Sequence, residues 1–198
     1  MKIIRDLAFR DRINYNTQSQ FSKTFVKNVL NNLPYILDAY KTTQLVEVIP
    51  RDIPGIVVAA GPSLNKNIND LKLAKGHAFI IAVDTAVKPL LDAGIVPDMF
   101  ALVDGEKPLM LVEREEAKQI PLIATLSAAS EIFQYHTGMK FFYNEGFRYA
   151  ERIFAEAKMP FGEICTGGSV ATHIFSLFHK IGIQRIILVG QDLALTNN

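Results

Sequence analysis

After Pro50 the chain alternates short apolar runs with longer amphipathic stretches, and this alternation restricts the possible folds more than any other feature. The runs are GIVVAA at 55–60, AFIIAV at 78–83, DMFALV at 98–103, PLIATL at 121–126, KFFY at 140–143 and RIILV at 185–189. Each is close to continuously apolar. Strands of that kind have both faces covered, as inside a parallel sheet flanked by helices. The segments 86–93, 107–118, 147–158 and 169–181 between them have helical character. Strand and helix in regular alternation predict an α/β fold with a Rossmann-like, doubly wound, mainly parallel sheet.

The first 50 residues have a different texture. Phe21, Phe25, Val29, Leu33, Ile36 and Leu37 recur at intervals of three and four, which predicts an amphipathic helix kinked or interrupted at Pro34. The expected organisation is an N-terminal helical arm over residues 1–50 and a sheet domain over residues 51–198. The arm offers a surface for packing on the body or for forming a homodimer.

Charge narrows the partners. Among 198 residues, 21 Lys and Arg face 20 Asp and Glu, a net charge of +1. No bulk field therefore draws the chain to nucleic acid or to a membrane. No apolar run approaches the ~18 residues of a membrane span, and residues 1–12 carry too many charges for a signal peptide. The single cysteine, Cys165, cannot form an internal disulfide, and the Cys and His spacings of zinc sites are absent. These features predict a cytoplasmic protein with no metal site of that kind.

In a doubly wound sheet, ligands bind outside the carboxyl ends of the strands. The residues at those ends are Gly61-Pro62-Ser63, Asp84-Thr85, Asp104-Gly105-Glu106, Ser127, Asn144-Glu145 and Gly190-Gln191-Asp192. Two glycine loops stand out. In the first, Gly61 permits a sharp turn or a close approach, Pro62 stiffens the corner, and Ser63 is placed to cap the next turn or to donate to a phosphate or ribose. In the second, Thr166-Gly167-Gly168-Ser169 opens a helix whose buried stripe is Val170, Ile174, Leu177, Phe178 and Ile181. A helix N-terminus of that composition is an anion site. Neither loop matches GxGxxG or a Walker motif. His173 is expected opposite the buried stripe, and His179 near the helix's negative end. Tyr143 ends a core strand.

Three blocks carry a resemblance to a known family: IVVAAGPSLNKNI, AVDTAVKPLLDAGIVPDMFALVDGEKP and TGGSVATHIFSLFHKIGIQRIILVGQDLALT. In order and without large gaps over 53–198, they resemble the bacterial Maf family of motility-associated flagellin glycosyltransferases. That family shares a domain with 6-hydroxymethylpterin diphosphokinase-like proteins. The GPSL loop and the later glycine loop are also similar to bacterial sialyltransferases that use CMP-activated sugars. The resemblance implies a nucleotide between the two loops, with Gly61, Pro62 and Ser63 on one side and Thr166, Gly167, Gly168 and Ser169 on the other. Asp84 would contact the ribose or base. Ala60 stands where the sialyltransferases carry Gly or Asn. Their general-base histidine falls beyond Asn198, so the chain is expected to be the nucleotide-binding core of something larger, cut short at its C-terminal edge.

On this reading the donor is a CMP-type nucleotide sugar, the acceptor a protein hydroxyl such as flagellin's, and no cofactor is required. Asp104, Glu106 and Asp192 are the candidate catalytic carboxylates, with Gly105 lending flexibility between the first two. The alternatives are an ATP- and Mg²⁺-dependent pterin diphosphokinase using Asp84, Asp104 and Asp192 as a carboxylate cluster, or a non-catalytic nucleotide-binding module.

Overall fold

In the computed structural model, which describes residues 23–144, 148–156, 162, 164 and 168–192, all six apolar runs are strands. They are β2 (Gly55–Val58), β3 (Phe79–Val83), β4 (Met99–Leu102), β5 (Leu122–Thr125), β6 (Lys140–Tyr143) and β7 (Ile186–Val189). A seventh strand, β1 (Tyr40–Lys41), carries no periodic signal because it has two residues and Tyr40 is exposed. The helices are α1 (23–37), α2 (Leu45–Val48), α3 (Leu64–Ala74), α4 (Val87–Asp92), α5 (Ser130–Tyr135), α6 (Arg148–Glu156) and α7 (Val170–Ile181).

The strands form one seven-stranded sheet in the order β1-β6-β5-β4-β3-β2-β7, and every pairing is parallel. From β2 the chain steps outward through β3, β4, β5 and β6. It then crosses back through α7 to lay β7 on the other side of β2. This reversal makes the β2–β7 boundary the switch point of a doubly wound sheet. Because all strands are parallel, all their carboxyl ends lie along one edge.

The sequence explains the covering layers. Helix α7 is long and apolar on one face, and it packs on β2, β3 and β4. Its Phe178 ring lies where a side chain at Gly55 would be, 2.8–3.0 Å from an added Cβ, so this glycine supplies room for the ring. Strands β2, β4 and β5 are buried at every position, as continuous apolar runs require. Strand β7 differs. Ile187 and Leu188 are 46% and 50% exposed. Successive residues point to opposite faces, so this edge strand is open on both.

Two expected elements fold otherwise. Residues 107–118 do not form a helix but two 3-10 turns, Leu109–Leu111 and Glu116–Lys118. Their apolar residues 109–112 are contiguous rather than spaced at three and four, so no stripe forms, and Val112 and Ala117 are the ones buried. Helix α1 runs through Pro34 without interruption. Pro34 stands in the last turn, and the carbonyl it leaves unpaired belongs to exposed Leu30. Residues 1–22 lie outside the described part, as do Glu145, Phe147, Ala157 and Lys158 of the predicted edge and helix.

Candidate functional site

The switch point is held shut by a small knot of glycines and one carboxylate. Gly61 N–H donates to the Gly190 carbonyl at 2.8 Å, and Ala59 N–H to the Val189 carbonyl at 2.8 Å. Asp192 accepts from Ser63 twice, from its amide at 2.9 Å and its hydroxyl at 2.8 Å, both at Oδ2. The Ser63 amide opens α3, so Asp192 takes the anion position at that helix's positive end. These hydrogen bonds from Ser63 hold the Asp192 carboxyl below its ordinary range. The carboxylate is thus stabilised as an anion and made a weaker base.

The knot explains Gly61 differently from a close approach to ligand. A Cβ there would collide with the Gly190 carbonyl and the Asp192 carboxylate. The Ser63 hydroxyl does not cap α3; it is spent on Asp192. Removing that acceptor by Asp192→Ala is expected to lower the melting temperature, with Asp192→Asn keeping part of the loss back; equal stability of all three forms would dismiss the knot as a stabilising feature.

Farther along the edge, Asp84 follows β3 and Asp104 follows β4. Asp84 is 2% exposed. One of its oxygens accepts from the Thr85 amide at 2.7 Å. The other has no hydrogen-bond partner and lies 3.9 Å from Lys107 Nζ. Asp104 is arranged in the same way, with Oδ1 accepting from the Glu106 amide at 2.9 Å and Oδ2 3.8 Å from Lys107. Burial raises the Asp84 carboxyl above its usual range, while Lys107 acts in the opposite direction. Lys107 was not evident from the strand ends. Its signal is its position directly after Asp104-Gly105-Glu106, which lets it serve two carboxylates at once.

The loop at Gly105 is closely packed. A Cβ on Gly105 would lie 3.0 Å from both the Asn28 amide nitrogen and the Ser127 carbonyl. The glycine lets the loop press against α1. Asp104 and Glu106 are exposed at the mouth, with Glu106 3.4 Å from the Thr24 hydroxyl.

Of the second glycine loop, Thr166 and Gly167 lie outside the described residues, as does Cys165. Gly168 has φ 84°, a conformation that favours glycine. Ser169 is the N-cap of α7; its hydroxyl accepts from the Thr172 amide at 3.3 Å and its own amide donates to Thr172 Oγ1 at 3.2 Å. His173 is not on an open face. It is 5% exposed and shares a 2.6 Å hydrogen bond with the buried Tyr143 hydroxyl at the end of β6. The buried face of α7 is therefore wider than the aliphatic stripe, and Ala171 and His173 belong to it. Burial pushes the His173 imidazole down to about 4.

Asp192 does not join Asp84 and Asp104 as a metal-binding triad: among the described residues, no group of three or more His, Cys, Asp or Glu could hold a metal ion. Nor, among the described residues, is any helix long and apolar enough to cross a membrane.

A parallel doubly wound sheet with glycine-bounded loops and carboxylates along its carboxyl edge defines a Rossmann-like α/β protein. The chain belongs to the 6-hydroxymethylpterin diphosphokinase MptE-like family, whose model matches residues 27–198. It is 33% identical over 106 residues to an uncharacterized protein of Treponema pallidum (strain Nichols), covering 54% of this chain and 46% of that protein. Its fold is similar to a MAf glycosyltransferase from Magnetospirillum magneticum AMB-1, with a TM-score of 0.63 at 21% identity. That match takes in 75% of this chain and 24% of the glycosyltransferase. The chain thus spans less than half of the first relative and about a quarter of the second.

Proposed function

We propose that the domain binds a nucleotide sugar along the carboxyl edge and acts as part of a glycosyltransferase. The observation that carries this reading is where unpaired buried oxygens collect. Asn32 Oδ1, Asp84 Oδ2, Ser127 Oγ and Gln191 Oε1 are buried without hydrogen-bond partners, and all four lie at or beside strand ends on this edge. Each such atom costs about 1–3 kcal/mol. All four can accept a hydrogen bond, so a ligand rich in hydroxyl or amino donors fits them. A sugar, a ribose or an exocyclic amine has that chemistry.

In this reading the phosphate faces the N-terminus of α7 near Gly168 and Ser169, with Thr166 and Gly167 completing the loop. Asp84 accepts from the ribose or base. Gly61, Pro62 and Ser63 contribute by shaping the switch point, since the Ser63 donors are held by Asp192. Of the three catalytic carboxylates, Asp104 and Glu106 suit the base better than Asp192. One of them takes the proton of a protein hydroxyl as that oxygen attacks the sugar carbon and the bond to the nucleotide phosphate breaks. A CMP donor, a sialic-acid-like sugar and flagellin as acceptor follow from the Maf resemblance. A homodimer would use the outer face of α1, where Val26, Leu30 and Leu37 are exposed, because its inner face is occupied within the chain.

Membership of the MptE-like family favours a second reading, transfer of pyrophosphate from ATP to a pterin alcohol. Among the described residues no group of three or more His, Cys, Asp or Glu could hold a metal ion, so in this reading the ATP phosphates would supply much of the Mg²⁺ shell. One panel separates the two: thermal stabilisation by CMP, CMP-sugars, UDP-sugars, ATP and pterins, with and without Mg²⁺. A ligand at a hundred times its Kd is expected to add about 2.7 kcal/mol. Stabilisation by CMP compounds without metal supports the glycosyltransferase reading, a strict Mg²⁺ requirement with ATP supports the kinase, and silence throughout removes both.

A further inference from the structure

We propose that Asn28 is a positioning residue for the charged cluster at this edge: from α1, it sets where the loop carrying Asp104, Glu106 and Lys107 stands against Asp84. The inference deepens the ligand-site reading above and rests on it.

Helix α1 precedes the strands on which it acts, and it reaches them through amides. Asn28 is 7% exposed, and its Nδ2 donates to the Gly105 carbonyl at 2.8 Å and the Ser127 carbonyl at 3.0 Å. Its Oδ1 accepts from the Ser130 hydroxyl at 3.3 Å. One turn on, Asn32 is fully buried and donates to the Leu126 and Ala128 carbonyls at 3.0 and 2.9 Å. Buried carbonyls in irregular loops have no strand partner, so these amides meet a need that the sheet cannot.

The two asparagines are chemically alike but grip different loops. Asn32 holds only the segment after β5. Asn28 also holds Gly105, between the two candidate carboxylates and two residues from Lys107. Lys107 lies 3.9 and 3.8 Å from Asp84 and Asp104, too far for hydrogen bonds, so its place depends on the loop that carries it. A loop released from Asn28 carries the ammonium away from a buried carboxylate that, among the described residues, pairs with no other cation.

This difference supplies the test. Asn28→Ala and Asn32→Ala each remove two buried hydrogen bonds to carbonyls, and a purely structural role predicts similar losses of stability and nothing more. The carboxyl titration of Asp84, followed by carbon-detected NMR in the ligand-free protein, distinguishes them. Asp84 is expected to titrate at higher pH in Asn28→Ala, because Lys107 no longer favours its anion, and to be unmoved in Asn32→Ala. Gly105→Ala, which crowds the same contact by only a few tenths of an ångström, is expected to shift Asp84 in the same sense and serves if Asn28→Ala does not fold. CMP affinity is expected to fall about tenfold in Asn28→Ala, the worth of one charge-assisted hydrogen bond. An Asp84 titration unmoved by the Asn28 and Gly105 changes, or moved equally by Asn32→Ala, overturns the role of Asn28. Absence of CMP binding to the unaltered protein instead overturns the ligand reading, whatever Asp84 does.

Discussion

Gly190→Ala is expected to lower the unfolding free energy by about 3–4 kcal/mol. Two costs combine at this position. Gly190 has φ 68°, a left-handed conformation in which a side chain costs about 1–2 kcal/mol. The added Cβ would also collide with the Ala59 carbonyl and approach Leu64 Cβ at 3.2 Å. Such overpacking costs about 1–3 kcal/mol and cannot be relieved by turning a side chain, since the obstacle is backbone. Gly61→Val should behave similarly, because its obstacles are the Gly190 carbonyl and the Asp192 carboxylate. It is therefore a stability variant and not a clean probe of ligand binding. Urea unfolding of Gly190→Ala provides the check. An unfolding free energy within about 1 kcal/mol of the unaltered protein's would mean that β2 and β7 can part at their carboxyl ends without cost.

Mild acid is expected to destabilise the protein by about 4 kcal/mol between pH 7 and pH 5 through two buried imidazoles. Burial pushes His136 down to about 4, against a weaker upward pull from the Ile120 carbonyl and with a further push downward from Lys140. His173 is lowered to about 4 by burial as well. In the unfolded chain both titrate near 6.5. Between those values the unfolded state holds protons that the folded state refuses, so stability falls as pH drops from about 6.5 towards 4. Each imidazole accounts for about 3 kcal/mol over the whole window. Asp84 works in the other direction: burial raises its carboxyl, so its protonation on acidification relieves the fold. Denaturant midpoints measured from pH 7 to pH 5 test the sum, and His173→Gln is expected to remove about half of the slope. A flat profile would show that both rings reach water.

The strands were legible because a strand covered on both faces has to be apolar along its length, and nothing else in the chain reads that way. Their parallel pairing then places Gly61, Asp84, Asp104, Ser127 and Asp192 along one edge. The bonds among those residues were not legible. Ser63 meets Asp192 across 129 positions of sequence, and only the return of β7 to the far side of β2 brings them together. The same holds for Asn28, which in sequence is an unremarked polar residue within an amphipathic helix. Residues 107–118 were misread because their charged and aliphatic residues have helical propensity, whereas packing responds to spacing. His173 was misplaced because a stripe counted from apolar residues omits a polar ring that is buried through a hydrogen bond to Tyr143.

The asparagine amides of α1 also set an order of assembly. Asn32 finds its acceptors 94 and 96 residues later, and Asn28 finds one 99 residues later. At about 5–20 residues per second, a ribosome needs roughly 5–20 s to make that intervening stretch. During that interval α1 lacks the carbonyls after β5 that both asparagines grip, and β1 has no β6 to pair with. The earliest part of the described fold to be made is thus among the last to lock, and the charged cluster it holds in register comes into being only when the middle of the chain returns to meet it.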